Sequence, residues 1–394
     1  MKPTLNDAMR AATRLTQGGQ LHEATTLLRR MLGGGAPPGH AASPRDAEPP
    51  RPTGAAIPLP TPAVKSRPAP TADATAYSFE TATPRPAAKI PRHWLPGGRA
   101  RPAASAEPLP VGAQFLDATY HGAAGRLRYK LYIPAARRDV AAPLLIMLHG
   151  CTQSPDDFAA GTRMNALAEA HGCLVAWPAQ EQAANAQKCW NWFSPADQRR
   201  EMGEPALIAG ITRQMIAEHG GDPRRAYVAG LSAGGAAAAI MGQVYPDLYA
   251  AVGVHSGLAC GAARDMQSAF SAMRGGAAAA TPPERGKRLV PTIVFHADRD
   301  TTVHPRNGDQ VIEQSAAEGA LRVEVTRGQV PGGHAYSRSV HADAAGQPVL
   351  EQWLVHGGGH AWSGGSPAGT YTDPRGPDAS REMLRFFLDR RLQD

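Results

Sequence analysis

A serine set between glycines, Gly230-Leu231-Ser232-Ala233-Gly234, follows the run Arg225-Ala226-Tyr227-Val228-Ala229 and precedes Gly235-Ala236-Ala237-Ala238-Ala239-Ile240-Met241. A short buried strand, then G-x-S-x-G, then small helix formers describes a sharp strand-to-helix turn. Such a turn holds the serine in strained geometry with its hydroxyl above the sheet edge. The flanking glycines are needed where a side chain would strike the neighbouring strand or helix. Ser232 placed this way can attack a carbonyl carbon, provided a base takes its proton and a carboxylate orients that base. The pentapeptide alone would also fit an ordinary tight turn, so its partners decide.

In a parallel α/β sheet those partners follow the serine in the order carboxylate, base, on loops beyond strand ends. Thr292-Ile293-Val294-Phe295-His296-Ala297-Asp298-Arg299-Asp300-Thr301-Thr302-Val303 puts two aspartates after a strand. Asp300, the farther one, lies where the loop turns back and is favoured; Asp298 reads as a turn-capping residue. Trp353-Leu354-Val355-His356-Gly357-Gly358-Gly359-His360-Ala361-Trp362 offers two histidines. His356 continues the strand and reads as structural, whereas three glycines free His360 to swing over the sheet edge, which favours it as base. His149, His255, His296, His304 and His334 also fall near expected loops, but not late in the chain at a strand end. The oxyanion of the tetrahedral intermediate needs donors already in place. The backbone N–H of Ala233 is one, and the loop His149-Gly150-Cys151-Thr152-Gln153 supplies the other through the Cys151 N–H.

These residues need a scaffold. Strands are expected at Arg126–Ile133, Pro143–Leu148, Cys173–Trp177, Ala226–Ala229, Tyr249–Val254, Thr292–Phe295 and Glu351–Val355, several of them continuous apolar runs. Helical patterns lie between, at Phe158–His171, Glu204–His219, Gly234–Tyr245 and Asp378–Leu392. The alternation predicts a mostly parallel α/β sheet with helices on both faces over residues 113–394. Ahead of it, residues 1–32 carry apolar residues at helical spacing and read as an amphipathic helical segment. Residues 33–112 hold 18 of the 36 prolines with few large apolar groups, and are expected to form a disordered linker.

The net charge of +7 is uneven: residues 1–112 carry 14 Lys/Arg against 7 Asp/Glu, and residues 113–394 carry 27 against 27. A neutral catalytic region argues against nucleic acid as a partner. The four cysteines, Cys151, Cys173, Cys189 and Cys260, show no C-x-x-C spacing for zinc, and the chemistry calls for neither metal nor organic cofactor. No run is apolar enough to span a membrane. Polar residues interrupt the first twenty positions, so a secretory leader is not expected and the start reads as cytoplasmic. Trp190, Trp192, Phe193 and Trp362 stand beside the loops in question. They are expected to line an apolar substrate cleft, the other reading being core.

The sequence resembles the esterase branch of the polyhydroxybutyrate depolymerase family over about residues 113–390. The resemblance rests on Leu148-His149-Gly150-Cys151-Thr152-Gln153-Ser154-Pro155-Asp156-Asp157-Phe158, on Cys189-Trp190-Asn191-Trp192-Phe193, on Ala229–Gly235, on His296–Val303 and on Gly359–Gly365. It implies an α/β-hydrolase fold, Ser232 as nucleophile, Asp300 as acid and His360 as base, acting on polyesters of short 3-hydroxy acids. It also implies a Cys151–Cys189 disulfide, for which two buried thiols are the alternative. Ala297 departs from the family's glycine, and the long front end is not covered. That leaves an extracellular location, common in the family, open beside the cytoplasmic one. A feruloyl or acetyl-xylan esterase on the same scaffold is the rival activity. A polymer-granule-binding protein with a vestigial hydrolase body, targeted by its N-terminal segment, is the rival of a different class.

Overall fold

The computed structural model describes residues 109–135, 140–277, 288–316 and 321–392. The expected helical segment 1–32 and all but the end of the expected linker 33–112 lie outside the described residues.

Ten strands form one sheet in the order β1-β2-β4-β3-β5-β6-β7-β10-β9-β8. β1 (Gln114–Gly122) and β2 (Gly125–Ile133) make an antiparallel hairpin, and β2 runs antiparallel to β4 (Leu174–Ala179). From β4 the sheet is parallel through β3 (Ala142–Leu148), β5 (Gly221–Leu231), β6 (Ala251–His255), β7 (Thr292–Ala297) and β10 (Pro348–Val355). β9 (Ala335–Ala342) and β8 (Arg322–Gln329) close that edge antiparallel. Every residue of β3, β6 and β7 is buried, because helices cover both faces and leave no side to water.

One layer is α3 (Gly203–His219), α4 (Ala233–Val244), α5 (Met266–Gly275) and α6 (Arg306–Ser315), with Ile208, Ala238, Ala272 and Val311 in its core. The other is α1 (Pro155–Thr162), α2 (Met164–His171) and α7 (Ala379–Leu388), around Trp177, Phe158 and Phe387. Short strands β11 (Trp362–Ser363) and β12 (Thr372–Asp373) pair separately.

The expected helix 158–171 is two helices, broken where Arg163 takes the left-handed conformation at φ 55°. The expected strand at 249 begins at Ala251, since the Tyr249 N–H is already bonded to Tyr245 O at 3.3 Å. The sequence pattern passes over β1, β8 and β9. β8 explains why: nearly all of it is exposed, so no apolar face marks it.

Candidate active site

Ser232 joins β5 to α4 with φ 58° and ψ −118°, outside the ordinary regions for a side-chain-bearing residue. The turn is possible because its neighbours are glycines. A Cβ on Gly230 would sit 2.3 Å from Gly234 O, and one on Gly234 would sit 2.0 Å from Leu148 O. The Ser232 N–H donates to His255 O at 2.9 Å, pinning the turn to the end of β6.

Asp300 lies on the loop after β7. Its Oδ1 accepts the N–H groups of Thr302 (2.9 Å) and Val303 (2.8 Å), and its Oδ2 lies 2.7 Å from His360 Nδ1. A carboxylate only accepts, so His360 Nδ1 carries a ring proton and Nε2 is the nitrogen left to act as base. Burial would raise the Asp300 pKa. Hydrogen bonds from His296 and His360 outweigh it and hold the carboxyl far below the usual carboxylate range. His296 Nε2 is 2.8 Å from Val303 O and 3.5 Å from Asp300 Oδ2, so it backs the same loop from inside the sheet.

The two rejected candidates pair with each other. His356 Nδ1 is 3.0 Å from Asp298 Oδ2, Gly357 N–H donates to Asp298 Oδ1 at 2.7 Å, and His356 Nε2 meets Ser337 Oγ at 2.9 Å. Asp298 therefore holds a turn.

Two loops face the serine turn. After β3, the Gly150 N–H donates to Gln153 Oε1 (2.9 Å), the Thr152 N–H to Gln187 O (2.6 Å) and the Gln153 N–H to Gly150 O (3.3 Å). The Cys151 N–H is left unpaired among the described residues. The Ala233 N–H opens α4 and so has no carbonyl one turn back within the helix. Cys151 is bonded to Cys189 in a disulfide that ties this loop to the one after β4; Cys173 and Cys260 are buried thiols. His149 fixes the start of the loop. Gln180 N–H donates to its Nε2 at 3.1 Å, so Nδ1–H donates to Gly150 O at 2.8 Å. Burial pushes the His149 pKa down to about 4, which keeps the ring neutral. Behind it, half-buried Glu204 accepts the Asn191 N–H (2.8 Å), the Asn191 side chain (2.7 Å) and the Gln180 side chain.

Ser232, His360, Cys151 and Ala233 line one open cleft. Its walls are mostly apolar: Trp192 and Phe193 from the disulfide loop face Met266, Phe270 and Met273 of α5. Thr152 Oγ1 and Tyr371 OH, 3.2 Å apart, bridge part of the lining, and both residues have positive φ, at 68° and 52°. Such strain gathers where a fold holds a loop to a fixed shape.

The expectation that three tryptophans form the cleft wall needs correction. Trp192 lines the cavity; Trp190 and Trp362 do not. Trp190 is fully buried beneath the loop, its Nε1–H donating to His149 O at 3.0 Å. Trp362 is packed against Phe158 and His255 and donates to Ser380 Oγ at 3.0 Å. Each indole N–H found a buried acceptor, and that partner drew the ring into the core. The sequence offers His149 and His255 only as loop histidines set aside as bases and Gln153 only as a member of the oxyanion loop, and the face of α5 was missed. The spacing of Met266, Phe270 and Met273 is the signal that marked the last.

Among the described residues no cluster of three or more His, Cys, Asp or Glu is placed to hold a metal ion, and no helix is long and apolar enough to cross a membrane.

A mostly parallel sheet of this order, with helices on both faces and a serine turn after β5, is the α/β-hydrolase fold. An acetyl xylan esterase from Aspergillus awamori shares it, with a TM-score of 0.54 and 20% identity over 69% of this chain and 98% of that one. The model of the family described as esterase PHB depolymerase matches residues 127–329, and the chain belongs to that family of carboxylic ester hydrolases. It is 32% identical over 266 residues to a poly(3-hydroxyalkanoate) depolymerase C of Paucimonas lemoignei, covering 64% of this chain and 60% of that protein's length. It is 26% identical over 279 residues to a feruloyl esterase B of Neurospora crassa, covering 66% and 87%.

Proposed function

We propose that the chain is a serine esterase in which Ser232 attacks the ester carbonyl and His360, oriented by Asp300, takes the serine proton. The observation that carries this reading is the 2.7 Å Asp300–His360 contact, in the same cavity as a serine on a strained strand-to-helix turn. The N–H groups of Ala233 and Cys151 would hold the oxyanion; removing one such donor typically lowers kcat by roughly 10²–10³-fold. His360 then delivers the proton to the leaving alkoxide and activates the water that releases the acyl group.

The substrate we propose is poly(3-hydroxybutyrate) or its oligomers. Support comes from the family and from a mostly apolar cleft beside Ser232, which suits methyl-bearing ester units. The Trp192 and Phe193 wall also suits an aryl acid, which keeps feruloyl esters as a second reading. The disulfide favours an oxidising compartment and hence the extracellular location.

Ser232→Ala is expected to lower ester hydrolysis by roughly 10⁴- to 10⁶-fold with the fold intact; retained turnover refutes the mechanism. Rates on poly(3-hydroxybutyrate) film, short nitrophenyl esters and feruloylated sugars separate the substrates. Turnover of feruloylated sugars alone removes the polyester.

A further inference from the structure

His255 is a fully buried histidine at the end of β6, outside the proposed triad. Its backbone and its ring hold two different parts of the site. The carbonyl oxygen accepts the Ser232 N–H at 2.9 Å. The ring Nε2 accepts the N–H of Ser363, three residues beyond His360, also at 2.9 Å. An amide N–H can only donate, so Nε2 is unprotonated and Nδ1 carries the proton, which goes to Ser256 Oγ at 3.1 Å. The ring stacks on Trp362 at 4.9 Å and Phe295 at 5.8 Å, which fixes its plane. We propose that His255 is a positioning residue that sets the separation of the Ser232 nucleophile from the His360 base, one residue gripping both loops. This rests on the Ser232–His360 reading above and deepens it.

The role requires a neutral ring, since an imidazolium has no lone pair for the Ser363 N–H. Burial first, then the nearby His296 and His360, push the His255 pKa down to about 3, and Asp300 opposes this only in part. The grip therefore holds through the working range of an esterase. Histidine suits the place because it spans from β6 to the base loop and also accepts at its far end; leucine would fill the volume without accepting.

Two measurements test it. In the wild-type enzyme, ¹⁵N–¹H spectra of the histidine rings should show His255 protonated at Nδ1 alone across about pH 5 to 8; an Nε2-protonated or charged ring overturns the proposal, whatever any variant does. In kinetics on a nitrophenyl ester, His255→Leu should lower kcat roughly 10²-fold with KM within about twofold, the effect of a small misplacement of reacting groups. His255→Gln, whose amide oxygen can accept the Ser363 N–H, should recover most of that loss. Equal impairment of the two variants overturns the proposal. If Ser232→Ala is silent while His255→Leu is fully active, only this inference falls. An active Ser232→Ala removes the nucleophile reading on which it stands.

Discussion

Two aspartate–histidine pairs join the ends of β7 and β10, and they differ less in contact than in surroundings. Asp300–His360 spans 2.7 Å and Asp298–His356 spans 3.0 Å. The first has an Asp side chain with no exposure and a histidine at 11%; the second has both at 37%. His360 of the first lines the cavity beside Ser232, while His356 of the second leads to Ser337 on β9. Asp300 is further fixed by two loop amides and His296. An Asp–His contact is therefore no sign of catalysis by itself; water exclusion and the proposed nucleophile, Ser232, in the same cavity distinguish one pair from the other.

The widest separation between the pairs should come from paired amide substitutions. Asp300→Asn should lower kcat by roughly 10⁴-fold, because the histidine loses its orienting acceptor and takes the wrong tautomer. Asp298→Asn should leave kcat within about twofold, as surface changes do, while costing about 1 kcal/mol of stability for the weakened Gly357 turn. Steady-state kinetics with thermal melts check both, and comparable losses in kcat would erase the distinction.

A smaller effect tests the cavity that makes the buried pair useful. Reduction of Cys151–Cys189, or Cys189→Ser, frees the Cys151 loop. It should lower kcat by roughly 10-fold through a looser oxyanion donor, with no change in the Asp298–His356 contact. Unchanged kcat in fully reduced enzyme, verified by thiol titration, would show that the loop needs no clamp.

The last test leaves catalysis aside and concerns proton uptake. His149 and His255 have folded pKa values pushed by burial to about 4 and about 3, below the unfolded value of about 6.5. Between about pH 6.5 and 4 the unfolded chain binds protons that the folded one refuses, so stability is complete above that window and falls as pH drops through it. Each histidine contributes a slope of up to about 1.4 kcal/mol per pH unit. Denaturant midpoints from pH 7 to 4.5 should show the fall, and His149→Gln should flatten it by up to half. An unaltered slope would mean that His149 is already protonated in the fold.

Much of this was legible in residue order. The G-x-S-x-G turn needs only local sterics, and the continuous apolar runs of β3, β6 and β7 announce strands covered on both sides. The triplet Gly357-Gly358-Gly359 marks where a histidine could leave the strand. The antiparallel edge strands were not legible, because β8 is exposed nearly throughout and carries no periodic apolar signal. Trp190 and Trp362 were misplaced for a different reason. Nearness in sequence to a catalytic loop does not say which side of that loop an indole packs on, and the buried acceptors His149 O and Ser380 Oγ settled it.

The sequence by itself determined the elbow at Ser232, the chain order of the proposed nucleophile Ser232, acid Asp300 and base His360, and the α/β class. Each of these follows from local backbone limits and from strand and helix periodicity, which act over a few residues. Only the tertiary structure decided that Asp300 meets His360 while Asp298 meets His356, that α5 faces Trp192 across the cavity, and that His255 touches both the serine turn and the base loop. Those contacts join residues from about 20 to more than 100 positions apart. They exist only once the sheet has set its strand order, because burial and hydrogen-bond satisfaction are properties of the assembled core.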